Sequence, residues 1–200
     1  MPILLFSLYA LTTEELTLLS ASTLISTVSM WTMDDDIRRL ALGNRQFDTF
    51  FNITNQLGDG RYHALLFTTG YALGRLTQNE RLTEVSSEGF RSFLISGITV
   101  LTLKSIIGRA RPYMNEGPLS FHPFTLDNDY HSFPSGHTIV AFSTASVISS
   151  NFRHPAVYAI TYSLATSVAM ARIYKDKHWF SDVLTAAVLG SIIGWKIGAQ

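Results

Sequence analysis

The sequence predicts an all-α integral membrane protein: a bundle of about six transmembrane helices preceded by a short N-terminal interfacial helix. Three observations lead to this prediction. Hydrophobic residues make up 46% of the 200 residues, and the mean hydropathy of +0.19 is high for a soluble enzyme. Apolar runs with few or no charges recur along the whole chain. Several of these runs are rich in Ser, Thr and Ala or carry Gly-x-x-x-Gly, the small residues that let membrane helices pack closely.

The N-terminal part of the chain contains one predicted spanning helix. Residues 3–11 are apolar but too few to cross a bilayer, so they fit an interfacial helix or a core segment, and we expect the interfacial helix. The capping box Thr12-x-x-Glu15 predicts the start of a helix that continues through the uncharged residues 16–33. Residues 34–60 are polar and carry turn signals, which predicts a loop with at most one short helix.

An acidic triplet, Asp34–Asp36, opens that loop. Three adjacent carboxylates suggest a Mg²⁺ site, but no further carboxylate follows at two-residue spacing, and Arg38 and Arg39 come next. We therefore interpret the triplet as polar residues at the end of a helix, and we expect no metal site in the chain.

Five further apolar segments predict the rest of the bundle. Some of their charge-free windows are shorter than the ~20 residues of a spanning helix. Charges at their ends, such as Arg75 and Lys196, can reach the membrane interface, so the segments still fit a membrane bundle. A polar loop with scattered aromatic residues, 113–133, separates the second of the five segments from the third. The segments cover about residues 62–76, 90–108, 135–151, 155–173 and 181–199.

Composition restricts the possible function classes. Lys+Arg and Asp+Glu are both 15, so the chain has no net charge to attract nucleic acid. The absence of cysteine excludes disulfides, thiolate metal ligands and thiol nucleophiles. No Pro-, Gly- or Ser-rich linker divides the chain, so residues 1–200 are predicted to form a single domain.

The most informative stretch reads Ser-Phe-Pro-Ser-Gly-His, from Ser132 to His137. Pro134 prevents a helix from running through it, and Ser135 is a natural N-cap for a helix that begins directly afterwards. The first turn of such a helix presents free backbone N–H groups, and Gly136 has no Cβ to keep a ligand away. The stretch predicts an anion site with His137 in its first turn, although Pro-Ser-Gly alone is also an ordinary turn.

Two flanking segments also indicate phosphate. Upstream, Lys104 and Arg111 are seven residues apart, which places both cations on one face of a helix. Downstream, Arg172 precedes His178 and Asp182. These last two are four residues apart, one helical turn, so the carboxylate can orient the imidazole. Three cations, an amide nest, two histidines and a carboxylate are the groups needed to hold and attack a phosphoryl group.

Three motifs in this order, Lys-x6-Arg-Pro, Pro-Ser-Gly-His and Arg-x5-His-x3-Asp, resemble those of the type-2 phosphatidic acid phosphatases (lipid phosphate phosphatases) and vanadium haloperoxidases. They span Lys104–Asp182, and their apolar flanks extend the resemblance to about residues 90–198. The motifs close the third predicted helix, open the fourth and occupy the turn between the fifth and sixth. The resemblance to six-helix membrane members therefore implies that all three meet at one membrane face. One departure is Ala171, where the family's third motif usually has Ser before the Arg.

The resemblance also implies a mechanism that needs no metal or other cofactor. His178, held by Asp182, is expected to attack phosphorus and form a phosphohistidine, and His137 to protonate the departing oxygen. Fixed cations are expected to supply the electrostatic stabilisation that a metal gives elsewhere. The residues expected to bind the phosphate are Lys104, Arg111, Ser135, Gly136 and Arg172.

The main functional hypothesis is a membrane phosphatase acting on a lipid phosphate or lipid diphosphate. Phosphatidic acid, phosphatidylglycerol phosphate, undecaprenyl phosphates and lipid A phosphate all offer this phosphoryl end. The expected partners are the lipid substrate and membrane lipids, without nucleic acid or an obligatory protein partner. The alternatives are a vanadium-dependent haloperoxidase and a non-catalytic membrane protein that binds an anion or lipid. Lys and Arg are spread too evenly to orient the protein. Resemblance to bacterial members implies the inner (cytoplasmic) membrane, with the site on the periplasmic or outer face.

Overall fold

A computed structural model describes residues 11–43 and 45–198, and these residues contain eight α-helices. Two single-turn 3₁₀ helices, Pro112–Met114 and Asn128–Tyr130, lie in the loop between the fifth and sixth helices. Within the described residues there is no β-strand, so the prediction of an all-α protein is confirmed. The helices are α1 Thr13–Thr32, α2 Asp34–Gly43, α3 Asp48–Gln56, α4 Gly60–Leu76, α5 Glu80–Ile107, α6 Gly136–Phe152, α7 Pro155–Tyr174 and α8 Phe180–Gly198.

Helix α1 begins at the predicted capping box. Thr12 N donates to Glu15 Oε2 at 2.7 Å, and Glu15 N donates to Thr12 Oγ1 at 3.2 Å. These two bonds satisfy backbone donors that the start of a helix would otherwise leave free. The interfacial helix expected at residues 3–11 falls, Leu11 apart, outside the described residues.

The outside of the bundle is more apolar than a water-soluble surface. The buried face of α1 consists of Ser22, Ser26 and Ser29, and the Ser26 hydroxyl lies 2.7 Å from that of Thr185 on α8. The large apolar side chains of α1 point outward instead: Leu24 is 67% exposed and Trp31 is 73% exposed. Small polar residues inside and large apolar residues outside are the arrangement expected when lipid surrounds the helices.

Among the helices of the described residues, three are long and apolar enough to cross a membrane: α5, α7 and α8. Helices α1 and α2 form a fourth candidate as a pair bent by 65°. The chain is therefore an integral membrane protein. Helices α4 and α6 have 17 residues each, at the lower limit for a span, and the count of six spans stays a prediction.

Helix α6 lies at the centre of the bundle, between α5, α7 and α8. Glycines on α8 let it approach α6 closely. A Cβ added to Gly190 would collide with the carbonyl of Ile139, and one added to Gly194 would collide with the carbonyl of Ser143. The Gly-x-x-x-Gly spacing of α8 is thus a helix-packing face, as predicted.

The prediction for residues 34–60 is wrong in detail. They form two helices, α2 and α3, where the turn signals indicated a loop with at most one. Tertiary packing overrides those signals, because Phe51 of α3 packs against Tyr174 of α7 with ring centroids 4.4 Å apart. Helix α2 is held by Arg38, whose Nε lies 2.7 Å from Asp176 Oδ1. Both helices thus end up beside the end of α7 that carries the third motif.

Candidate active site

The three sequence motifs meet at one end of the bundle. Lys104, near the end of α5, lies close enough to Arg111, Arg172 and Asp182 for their charges to interact. His178 likewise interacts with the charges of Lys104 and Arg172. Each of these residues lies at a helix end or in the loop beside it. The predicted clustering of the motif residues is therefore what the structure contains.

The start of α6 joins the same cluster. Ser135 N donates to the backbone carbonyl of Asp182 at 3.2 Å, and a Cβ built on Gly136 would lie 3.9 Å from Lys104 Cε. Ser135 is the N-cap, as predicted, but its hydroxyl makes no capping bond and instead accepts from Thr138 Oγ1 at 2.9 Å. The side chain of Ser135 therefore leaves the first-turn amides uncapped, a geometry that suits an anion.

His178 lies in the loop between α7 and α8, and its imidazole is almost completely buried. Its Nδ1 is 3.5 Å from Asp182 Oδ2, longer than an ordinary hydrogen bond. Burial lowers the pKa of His178 well below its ordinary value, although the nearby Asp182 carboxylate opposes this shift. His178 is therefore neutral at pH 7, the state in which a ring nitrogen has a lone pair available for attack.

Asp182 accepts three hydrogen bonds, from donors other than the imidazole. Its Oδ2 accepts from the Ser132 hydroxyl at 2.5 Å and from Trp179 N at 2.9 Å. Its Oδ1 accepts from Arg109 Nη1 at 2.5 Å. These bonds fix the carboxylate before any substrate arrives, which is the requirement for orienting an imidazole.

The three predicted phosphate-binding cations are bonded to neutral oxygens. Lys104 Nζ donates to the carbonyl of His131, and Arg111 Nε donates to the carbonyl of Asn128 at 2.8 Å. Arg172 Nη1 donates to the side-chain oxygen of Asn55 at 2.6 Å. None of the three forms an ion pair with a carboxylate in the described part of the chain, and all three are largely buried. Their combined positive charge is thus available to an anion.

Two buried side-chain nitrogens of this cluster, Arg172 Nε and His178 Nδ1, have no hydrogen-bond partner among the described residues. A buried unsatisfied donor such as Arg172 Nε is costly, and it marks a position where a ligand atom would be stabilised.

The last predicted residue, His137, stands in the first turn of α6 and is half-buried. The loop between α3 and α4 covers it, because a Cβ built on Gly58 would lie only 2.8 Å from His137 Cβ. The same Cβ would lie 2.5 Å from Val168 Cγ1 on α7. Because glycine has no side chain, Gly58 allows this loop to pack directly against the site.

Several residues that contact the motif residues were not predicted from the sequence, among them Asp34, Asn55 and Arg109. The prediction that the acidic triplet is a polar stretch ending a helix is wrong, because Asp34–Asp36 form the first turn of α2. Asp34 is buried against Arg109, whose Nη2 lies 2.8 Å from Asp34 Oδ2. Only its two neighbours, Asp35 and Asp36, are exposed. Asn55 lies in the segment predicted to be largely loop. Arg109 lies inside the first motif, and nothing in the sequence indicates that its side chain binds Asp34 and Asp182 instead of phosphate.

The departure at Ala171 has a structural explanation. Its side chain is completely buried in an apolar cluster with Phe51 and Tyr174. A serine hydroxyl would face this cluster, so alanine suits the position next to α3.

Comparisons with known proteins agree with this geometry. The family model described as the PAP2 superfamily matches residues 90–198. A lipid A 1-phosphatase of Rhizobium etli is 31% identical over 142 residues, which cover 66% of this chain and 58% of the relative. One of Porphyromonas gingivalis is 34% identical over 84 residues, 40% of this chain and 19% of the relative. The chain thus spans less than two thirds of the length of these curated relatives.

Two solved structures share the fold. The transmembrane PAP2-type phosphatidylglycerolphosphate phosphatase of Bacillus subtilis superimposes with a TM-score of 0.68 at 20% identity, covering 93% of this chain and 94% of that one. LpxE of Aquifex aeolicus gives a TM-score of 0.59 at 22% identity, covering 82% and 93%. At such identities the likeness concerns the fold.

Proposed function

The chain belongs to the PAP2 superfamily, and on this premise we propose that it is a membrane phosphatase that hydrolyses a phosphate monoester or diphosphate of a lipid. The observation that carries the proposal is a set of three largely buried cations that lie around a neutral His178 and form no ion pair with a carboxylate of the described residues: Lys104, Arg111 and Arg172. A phosphate dianion would supply the missing negative charge. A hydrogen bond to a charged group contributes about 1.5–3 kcal/mol, so these cations would dominate phosphate binding.

In the first chemical step, His178 Nε2 forms a bond to phosphorus while the bond from phosphorus to the lipid oxygen breaks. His137, at the start of α6, takes up a proton when the phosphate dianion binds beside it, and it gives this proton to that oxygen, which leaves as an alcohol. The Nδ1 of His178 keeps its proton beside Asp182, so the phosphorylated ring is positively charged and Asp182 stabilises it. The phosphohistidine divides the hydrolysis into two easier steps.

In the second step, water attacks the phosphohistidine. His137, now without its proton, takes one from the water as the phosphorus–nitrogen bond breaks, and inorganic phosphate leaves. The backbone N–H groups of Gly136 and its neighbours face the oxygens on which negative charge develops. Lys104, Arg111 and Arg172 supply the remaining stabilisation, and the proposal requires no metal or cofactor.

A lipid substrate is favoured over a soluble one by an apolar cavity beside the site. It has a volume of about 250 Å³ between α4, α6 and α7, and its wall includes Leu57, Ala141 and Val168. Val168 of the cavity wall and His137 of the site both lie against the loop at Gly58, so the cavity adjoins the site. Such a cavity suits a hydrocarbon chain whose phosphate lies among the cations.

Lipid A 1-phosphate is the first substrate to test, because the curated relatives are lipid A 1-phosphatases. We further propose that residues 1–200 act as one domain, since Asp34 and Asn55 of the N-terminal helices contact motif residues. The proposed location is a bacterial cytoplasmic membrane with the site on its outer face, where the expected partners are the substrate and the surrounding lipids.

The experiment is phosphate release by the purified protein in detergent from lipid A, phosphatidic acid, phosphatidylglycerol phosphate and undecaprenyl diphosphate. We expect release from at least one lipid, unchanged by EDTA and absent in His178→Ala. Loss of activity with EDTA would contradict the metal-free mechanism. Release that survives His178→Ala would point to a contaminant and favour a non-catalytic lipid-binding protein, and peroxide-dependent halide oxidation would favour a haloperoxidase.

A further inference from the structure

Four ionisable side chains form a row behind the site: Asp34, Arg109, Asp182 and His178. Arg109 Nη2 lies 2.8 Å from Asp34 Oδ2, and Arg109 Nη1 lies 2.5 Å from Asp182 Oδ1. Asp182 Oδ2 in turn lies 3.5 Å from His178 Nδ1. The first three side chains are completely buried and that of His178 is nearly so. Water therefore screens the charges of the row only weakly.

The signs of these charges alternate. Asp34 and Asp182 are negative and Arg109 is positive, so the three together carry one net negative charge. When His178 Nε2 bonds to phosphorus and Nδ1 keeps its proton, the imidazole ring becomes positive, and the row of four then has no net charge. An unbalanced buried charge is costly, whereas a balanced and hydrogen-bonded set is tolerated. The charges of the row therefore sum to zero only once His178 has become an imidazolium, and this is the most favourable charge state for a buried set.

Asp34 determines this balance. With Asp182 as its one carboxylate partner, Arg109 would neutralise Asp182 and leave little net charge facing His178. Asp34 instead binds the other terminal nitrogen of the guanidinium. It also accepts from Ser181 N at 2.9 Å and from the Ser181 hydroxyl at 2.6 Å, and so fixes the backbone directly before Asp182.

We propose that Asp34 is a positioning residue for phosphoryl transfer: acting through Arg109, it holds Asp182 beside His178 and supplies the charge that balances the imidazolium. The inference rests on the function proposed above. It adds to the machinery a residue outside the segment that the family model matches, at the joint where α1 and α2 meet at 65°.

A double-mutant cycle tests this role, using purified protein in detergent with an aryl phosphate as the probe. Asp34→Asn is expected to lower kcat roughly 10- to 100-fold, the usual effect of removing a partner that orients a functional group. KM is expected to change little, because Asp34 does not contact the phosphate. In an Asp182→Asn background the second substitution should add almost no further loss, since its effect passes through Asp182. The matched control, Asp35→Asn, makes the same change on the exposed neighbour and should retain wild-type kcat.

Ser181→Ala is a second probe that leaves every charge in place. It removes the hydroxyl that lies 2.7 Å from Arg109 Nη1 and 2.6 Å from Asp34 Oδ2. Ser181→Ala should lower kcat less than Asp34→Asn does, and only when Asp182 is intact. If Asp34→Asn does not fold, the effect of Ser181→Ala tests the positioning role in its place. Wild-type kcat in these variants, or losses that multiply with that of Asp182→Asn, would overturn the inference and leave the phosphatase proposal standing. A wild-type protein inactive on every phosphate ester would overturn the proposed function and this inference with it.

Discussion

Arg172 and Asn55, 117 positions apart in the chain, are joined by a hydrogen bond of 2.6 Å from Nη1 to the side-chain oxygen. The bond ties the arginine of the third motif to helix α3. Because the amide oxygen is neutral, Asn55 orients the guanidinium and leaves its positive charge uncompensated. An aspartate at position 55 would hold the same geometry and cancel that charge.

Asn55→Asp is therefore expected to weaken phosphate binding. The new carboxylate pairs with Arg172 and repels the substrate, so KM for an aryl phosphate and the inhibition constant for orthovanadate should both rise about 10- to 100-fold. Asn55→Ala, the control, loses the orientation but keeps the charge, and it should raise both constants less. Equal constants for Asn55→Asp and wild type would show that Arg172 does not bind the phosphate.

Substitutions at His178 and Asp182 should distinguish formation of the bond to phosphorus from orientation of the imidazole. His178→Ala is expected to abolish turnover and the acid-labile phosphoenzyme trapped by rapid quench, because no other group takes the phosphoryl group. Asp182→Asn should leave KM nearly unchanged and lower kcat by up to about 10⁴-fold, the loss seen when an imidazole is held in the wrong tautomer. Phosphate trapped on any residue other than His178 would refute the assignment of the nucleophile.

The contribution of His137 to the rate of the first step should increase as the leaving group becomes more basic. A lipid alkoxide is a strong base that needs a proton to leave, whereas nitrophenolate leaves readily without one. General acid catalysis typically contributes about 10²- to 10⁴-fold. His137→Ala should therefore slow the first, burst phase far more with an alkyl phosphate than with an aryl phosphate. Equal slowing with both substrates would make His137 a phosphate ligand and place the proton donor elsewhere.

Two helical glycines should respond to alanine with opposite signs. A Cβ at Gly194 would collide with the Ser143 carbonyl on α6, whereas a Cβ at Gly97 on α5 would meet no atom within 4 Å. Gly194→Ala should destabilise the protein by about 1–3 kcal/mol, as overpacking does. Gly97→Ala should leave stability unchanged or raise it by up to about 1 kcal/mol, because alanine restricts the unfolded chain. Tryptophan fluorescence during thermal unfolding in detergent measures both, and a stabilised Gly194→Ala would refute the close packing of α6 on α8.

The parts of the site that the sequence could predict are those that local spacing defines. His178 and Asp182, four residues apart, lie side by side as predicted, and Pro134 determines where α6 begins. The prediction that Lys104 and Arg111 share a helix face is wrong, because α5 ends at Ile107 and Arg111 lies in the loop beyond Gly108. The two cations are nevertheless close enough for their charges to interact, since they are only seven positions apart in the chain.

The contacts that sequence analysis missed join distant parts of the chain. Asp34 and Arg109 are 75 positions apart, and no periodicity relates them. Asp34 also looks identical to Asp35 and Asp36 in the sequence, and only the bend after α1 turns the first of the three inward. The helices within residues 34–60 escape prediction for a similar reason, since their apolar partners lie on α7 and contribute nothing to the local pattern.

The joint between α1 and α2 has a consequence for how this chain can vary. Each residue added to a helix rotates all later residues of that helix by about 100°. One insertion or deletion in the last turns of α1 would carry Asp34 away from Arg109 while barely altering the length or hydropathy of the helix. The register of the first helix is therefore constrained by one buried carboxylate, and lipid-facing residues such as Leu24 and Trp31 are free to be replaced by other apolar residues. Among natural variants of this protein, substitutions should accumulate on that face, and changes of length should be absent from it.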